Sequence, residues 1–406
     1  MTFTVGHAVM LTGRGRQLLS RGREAGGGIA GKGGGLYAWR VGYEQPVLVM
    51  FHGGTGEGPA ERMMARARVA AARSTARAAL AAGFEAVIVA TDEPGAFEPL
   101  PAGVLLDVDP PGEPFVYRER LGRLIERYGL ERPAVMGSGS VPLLGPDEFA
   151  LVVEQLQARD ARFVTNNFYS ADLTGWTPGS AFARLGAVPR DNLLPRLLRD
   201  EAGLAPVMLP RTTATQFDLD TPTDLAVLGL VRGVDPGLAM AAGEVAGLTE
   251  RLRGVMPLLC DRSAELVVAG RVGSQAWQYL ERETACRVRM FSEERGLATA
   301  PEGHRPRSLL GFLLEEVGPE RFFQRLAELG DAAVIDTRVI EAHLGIAPTR
   351  EDRFQSDLGA WEEVREPELR RFTKAAMEAP LPVILGGHSL VSGGLMALND
   401  AAWEGR

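Results

Sequence analysis

Cysteine is almost missing: Cys260 and Cys286 are the only two in 406 residues. That excludes a disulfide framework and leaves no zinc-cluster spacing. Lysine is as scarce, with Lys32 and Lys374 alone among 44 basic side chains. Any clamp on an anion must then use guanidinium forks or backbone amides rather than the usual ammonium group. No run reaches the roughly 18 apolar residues of a membrane span. The opening "MTFTVGHAVMLTGRGRQ" lacks the basic head and long apolar core of an export signal. Surplus positive charge is absent too. A net charge of -8 and a pI near 5.4 argue against nucleic-acid and anionic-membrane partners. The expectation is a cytoplasmic protein.

What is present describes a globular chain: 45% hydrophobic residues and a mean hydropathy of -0.02. The length allows two or three domains. Residues 12–35, "TGRGRQLLSRGREAGGGIAGKGGG", carry little periodicity and read as a flexible segment or long loop within an irregular stretch over 1–45. From Pro46 the pattern sharpens. "VLVMF" is a buried-strand run, "HGGTGEG" (52–58) a glycine loop, the stretch 59–83 a helix, and "AVIVATDE" a second strand. That is a βαβ unit whose loop amides would face a phosphate at a helix N-terminus. A loop holding "LLDVD" follows, then a helix around 115–129, the strand "PAVMGSG" and a helix around 146–158. The strand "RFVTNNFY" (162–169), a loop, a helix over 190–203 and the strand "PVMLP" complete the series. Alternation of this kind predicts a three-layer, mainly parallel α/β sheet over 46–235. "VDPGLAMAAGEVAGL" (234–248) marks a boundary. Beyond it, 250–406 reads as a second, smaller α/β domain of about four strands.

"TQFDLDTPTDLAVL", Thr215 to Leu228, concentrates acids where the first region ends. Thr221 caps a helix, Pro222 suits its first position, and Asp224 closes a capping box. Asp218 and Asp220 alternate with Phe217 and Leu219, so they share one face. Two anions held close repel unless a cation or hydrogen-bond donors offset them. One reading makes one of them a cap and leaves the other solvated; the other gives both to a metal.

Taken in order, the glycine loop after "VLVMF", "TARAALAAGFEAVIVATDE", "AVMGSGSVPLLGPDEF" and "FDLDTPTDLAVL" resemble one family. It is the nucleotidyltransferases with a GT-A-like fold, of the molybdenum cofactor guanylyl/cytidylyltransferase and 2-phospholactate guanylyltransferase type. The resemblance covers about residues 46–232. It implies a magnesium-dependent transfer of a nucleoside monophosphate from a nucleoside triphosphate to a small phosphorylated acceptor. Nucleotide and metabolite would be the partners, and a homodimer is compatible with it. The crowded negative charge of that reaction needs amide donors, cations and a metal on oxygen ligands. Gly53, Gly54, Gly56 and Gly58 would supply amides, and Arg62 the cation. Asp218 and Asp220 would hold the metal.

Two departures stand out. Ser140 occupies the place where the family carries its metal-binding aspartate, and "GTGEGPAER" lacks the family's arginine-glycine pair and downstream lysine. Either a relocated carboxylate serves the metal, or the fold binds nucleotide as a degenerate sensor or scaffold; a GT-A glycosyltransferase is the third option. "TNNFYSADLTGW" offers Asp172 as the relocated acid and Asn166 and Asn167 as ligand donors, although paired asparagines also form plain turns. Asp107 and Asp109 are further candidates. In the second region, "GGHSLVSGGL" carries His388, Ser389 and Ser392 and could cradle a phosphate or simply pack. Arg287 and Arg289, followed by Glu293, Glu294 and Arg295, form an anion site or a solvated edge. Asp336 and Arg338 close another strand.

Overall fold

The computed structural model describes residues 42–54, 56–110, 112–294 and 306–405. The glycine- and arginine-rich stretch 12–35, nearly all of the segment 1–45, and Arg295 lie outside them. Seven strands build the first sheet: β1 (Val47–His52), β2 (Ala86–Thr91), β3 (Val104–Val108), β4 (Pro133–Gly137), β5 (Arg162–Thr165), β6 (Leu173–Thr177) and β7 (Ala205–Met208). Their order is β3-β2-β1-β4-β6-β5-β7, and all neighbours are parallel except the two pairs that β6 makes. "VLVMFH" and "AVIVAT" lie mid-sheet under helices on both faces, so they read as unbroken apolar runs rather than alternating ones.

Two strands fall where the sequence suggests loops. β3 is "VLLDV", an edge strand whose Leu105 and Val108 stay exposed. β6 is "LTGWT", a short antiparallel return on β5 that holds a glycine and two threonines. β5 itself stops at Thr165, short of the Tyr169 that its sequence suggests, because Asn166 begins a turn.

The second sheet has four parallel strands: β8 (Glu265–Gly270), β9 (Arg287–Ser292), β10 (Ala332–Asp336) and β11 (Val383–Gly386), in the order β11-β10-β8-β9. No helix among the described residues is long and apolar enough to cross a membrane. The alanine-rich helix Pro59–Ala81 joins the two sheets. Ala72, Ala76 and Ala79 pack beneath the first sheet. Ala60, Met63, Met64 and Ala67 belong to a cluster that continues through Leu225 and Leu252 to Val268, Val334 and Leu390. Small side chains let the helix approach both layers. Each fully buried leucine in that cluster contributes about 1.5–3 kcal/mol.

Candidate active site

The carboxyl ends of β1, β4 and β5 and the segment Phe217–Thr221 converge at one edge of the first sheet. Phe217 and Leu219 are fully buried, which turns Asp218 and Asp220 the other way; Asp220 is exposed. The segment is extended without being a sheet strand. Leu219 N donates to Gly139 O at 3.0 Å, tying the segment to the turn after β4. In that turn Val141 N donates to Asp218 Oδ1 at 2.9 Å. Val141 has a φ of 37°, an unfavourable place for a β-branched side chain. The strain aims its amide at the acid.

Asp218 and Asp172 lie close enough that each carboxyl shifts the other's titration. Burial, then the charges of Asp172 and Asp220, push Asp218 well above the ordinary carboxylate range. Burial also lifts Asp172, to about 6, with Asp220 and Asp191 adding to the effect. These are the signs of like charges desolvated together. Asp191, which the sequence does not single out, is itself raised by burial and by Asp220.

Asn166 serves this pair rather than pointing outward. Its Nδ2 donates to Asp172 Oδ2 at 2.9 Å and to Thr215 O at 3.0 Å. Its Oδ1 accepts from the amides of Asp172 and Leu173, each at 3.0 Å. Asn167 is a turn former, its Oδ1 accepting from Tyr169 N and Ser170 N at 3.1 and 3.4 Å. Ser140 N closes the tight turn onto Gly137 O at 3.2 Å.

The cation that reaches the acidic segment is Arg68, whose Nη2 donates to Asp220 O at 3.0 Å and Nε to Leu219 O at 3.4 Å. Arg62 is exposed and folds back onto the Glu57 carbonyl. A helical-wheel reading separates them: Arg68 is flanked at four-residue spacing by buried Met64 and Ala72, in the stripe that faces the sheets.

The glycine loop surrounds carboxylates of this chain. Gly58 N donates to Glu61 Oε2 at 3.0 Å. Ala60 N and Glu61 N donate to Glu351 at 3.1 and 3.0 Å, so an acid from the second half caps the helix. A Cβ at Gly58 would come 2.0 Å from Glu351 Oε2, and one at Gly56 2.0 Å from Glu61 Oε2. Gly53 lies against Asp92, and the carbonyl of Gly54 accepts from Arg350 Nη1 at 2.7 Å. Beside the loop, His52 Nδ1 lies 2.9 Å from Ser138 Oγ. Burial, then Arg68, lower this imidazole to about 4 against the pull of Asp92, which keeps it neutral.

Asp224 is the helix cap that its sequence suggests. It closes the capping box with Thr221, and its Oδ2 accepts from the amides of Asp220 and Thr221 at 3.1 and 2.8 Å. Burial, then Asp220, raise it to about 8. Other candidates have separate duties. Asp107 pairs with Arg120 and Arg127 at the outer edge of the sheet, and Asp109 with Arg120. Arg287 and Arg289 pair with Glu265. Asp336 is clasped by Arg271 at 2.6 and 3.0 Å, and Arg338 clasps Asp357 at 2.8 Å through both nitrogens. The loop "GGHSLVSGGL" packs on the first half instead of opening to solvent.

Among the described residues, no group of three or more histidine, cysteine, aspartate or glutamate side chains is arranged to hold a metal. Two hard oxygen donors suit magnesium nonetheless, since that ion commonly takes one or two carboxylates and fills its shell with water and phosphate oxygens.

No family model matches the chain, and no curated protein does. Solved structures similar to part of it include the following two. A nucleotidyl transferase from Methanothermobacter thermautotroptrophicus is 16% identical, with a TM-score of 0.34, over 43% of this chain and 91% of that one. A putative nucleotide-diphospho-sugar transferase from Desulfovibrio desulfuricans G20 is 18% identical, with a TM-score of 0.38, over 51% of this chain and 97% of that one. Likeness at this level assigns neither activity nor ligand.

Proposed function

We propose that the chain is a nucleotidyltransferase-like enzyme that binds a nucleoside triphosphate with magnesium and acts on a small phosphorylated acceptor. An acceptor phosphate oxygen forms a bond to the α-phosphorus; the bond to the β-phosphate oxygen breaks, and pyrophosphate leaves with the electron pair. The observation that supports this reading is the close, half-buried pair Asp172–Asp218, with Asp220 beside it. Bound there, magnesium would offset the charge that crowds the reacting phosphates. Val141 N and Asn166 aim the two acids, and Arg68 holds the backbone of Asp220.

A second reading, a nucleotide-binding sensor or scaffold without turnover, draws on the glycine loop. Glu61 and Glu351 already take the amides that a triphosphate would use, and Ser140 replaces an acid. Pyrophosphate release from each triphosphate, with magnesium and a panel of phosphorylated metabolites, separates the two. Turnover that Asp218→Ala abolishes supports the enzyme. Triphosphate binding without turnover supports the sensor, and cleavage of a nucleotide sugar without pyrophosphate points to glycosyl transfer. If calorimetric titration detects no binding of any triphosphate, both nucleotide readings fall.

A further inference from the structure

Asp218 lies in a segment with no sheet ladder or helix to hold its backbone. Its amide and carbonyl are nevertheless satisfied, by one hydroxyl 171 residues away. Ser389 Oγ accepts from Asp218 N at 3.1 Å and donates to Asp218 O at 2.7 Å. Ser389 is 3% exposed and sits in the loop after β11. That loop is pressed against the acidic segment: a Cβ at Gly393 would come 2.2 Å from Gln216 O, and one at Gly387 3.0 Å from Thr221 Cγ2. Ser392 fixes the loop from within, its hydroxyl donating to the carbonyls of His388 and Ser389 at 2.9 and 3.1 Å.

We infer that Ser389 is a positioning residue for the acidic site, supplied by the second half of the chain. Two carboxyls that repel whenever both are charged stay together only if their main chains cannot swing apart. Asp172 is held by Asn166 and the β5–β6 return. Asp218 has Val141 N on its carboxyl and Ser389 on its backbone. Without the hydroxyl, the amide and carbonyl of Asp218 lose their shared partner, and the segment is free to relax. The second half thereby completes a metal-binding site in the first. The inference rests on the metal reading of Asp172 and Asp218, and its test separates the two ideas.

The probe is Mn2+ alone, added to the full-length chain and followed by the electron paramagnetic resonance signal of the free ion. Ser389→Ala is expected to weaken Mn2+ binding about tenfold, the usual penalty for losing a group that orients a ligand. Ser389→Cys, close in volume but a weak hydrogen-bonder, should act in the same direction if the alanine variant does not fold. Thr223→Val is the interface control. Thr223 Oγ1 donates to Leu385 O at 2.6 Å across the same junction without touching Asp218. It should lower the melting temperature yet leave Mn2+ affinity within about twofold, well short of that orienting penalty. Unchanged binding in the Ser389 variants, or equal loss in Thr223→Val, would overturn the inference while wild-type binding preserved the metal reading. Wild-type protein that binds no Mn2+ overturns both.

Discussion

The two sheets bury acids at their carboxyl edges in opposite ways. At the second sheet, Asp336 has Arg271 across both oxygens, and Asp357 has Arg338. Burial alone would raise Asp336, but Arg271, aided by Arg338 and His388, brings it below the usual range. Burial raises Asp357, and Arg338 pulls it the other way. At the first sheet, Asp172 and Asp218 lie together with Asp220 near both, and both are raised. Where the protein supplies its own counter-charge, the cluster holds the fold together. At the first sheet the raised acids are where the proposed metal would supply the missing counter-charge.

The largest effect should come from unclasping the compensated side. Arg338→Met leaves Asp357, which has no exposed side-chain surface, without its two-point partner. A loss of about 3–5 kcal/mol is expected in urea unfolding.

The pH dependence gives a finer contrast. Asp224 is raised from 3.8 to about 8 in the folded chain. Between those values the folded form holds a proton that the unfolded form has released, so stability falls as pH rises, by at most about 1.4 kcal/mol per unit. Asp336, lowered, works the other way: its contribution is present above its unfolded value and disappears as pH falls through its folded one. Melting curves across pH should therefore show a decline from about pH 4 to about pH 8 that flattens in Asp224→Asn, with the loss at lower pH unchanged.

The smallest change is the most telling in sign. Asp218→Asn keeps an acceptor for Val141 N and removes the acid whose ionisation beside Asp172 is penalised. Without added metal it should match or exceed wild type by on the order of 1 kcal/mol, the worth of one pKa unit, in the same urea measurement. If it destabilises the chain as Arg338→Met does, the distinction between the two clusters fails.

Local chemistry was legible in the sequence where neighbours in the chain decide it. Thr221, Pro222 and Asp224 announce their cap, and the alternation of Phe217 and Leu219 with Asp218 and Asp220 declares which side faces out. The apolar runs of β1 and β2 announce a covered sheet. β6 was hidden because a five-residue return carrying Gly175 between threonines has little strand character by itself. Arg68 was overshadowed by Arg62, which stands nearer the glycine loop in sequence yet on a different face of the helix. Nothing local marks Glu351 as a cap for a helix 290 residues earlier, or Ser389 as the brace of Asp218. Such long-range pairings are set by how the halves dock.

The helix Pro59–Ala81, gripped on both flanks, also decides how the polypeptide can be divided. A fragment ending near Arg232 would bare Ala60, Met63, Met64 and Ala67 along a greasy seam and strip Glu351 from the helix start. Such a piece is expected to aggregate on expression. The join between the halves behaves as a weld rather than a hinge.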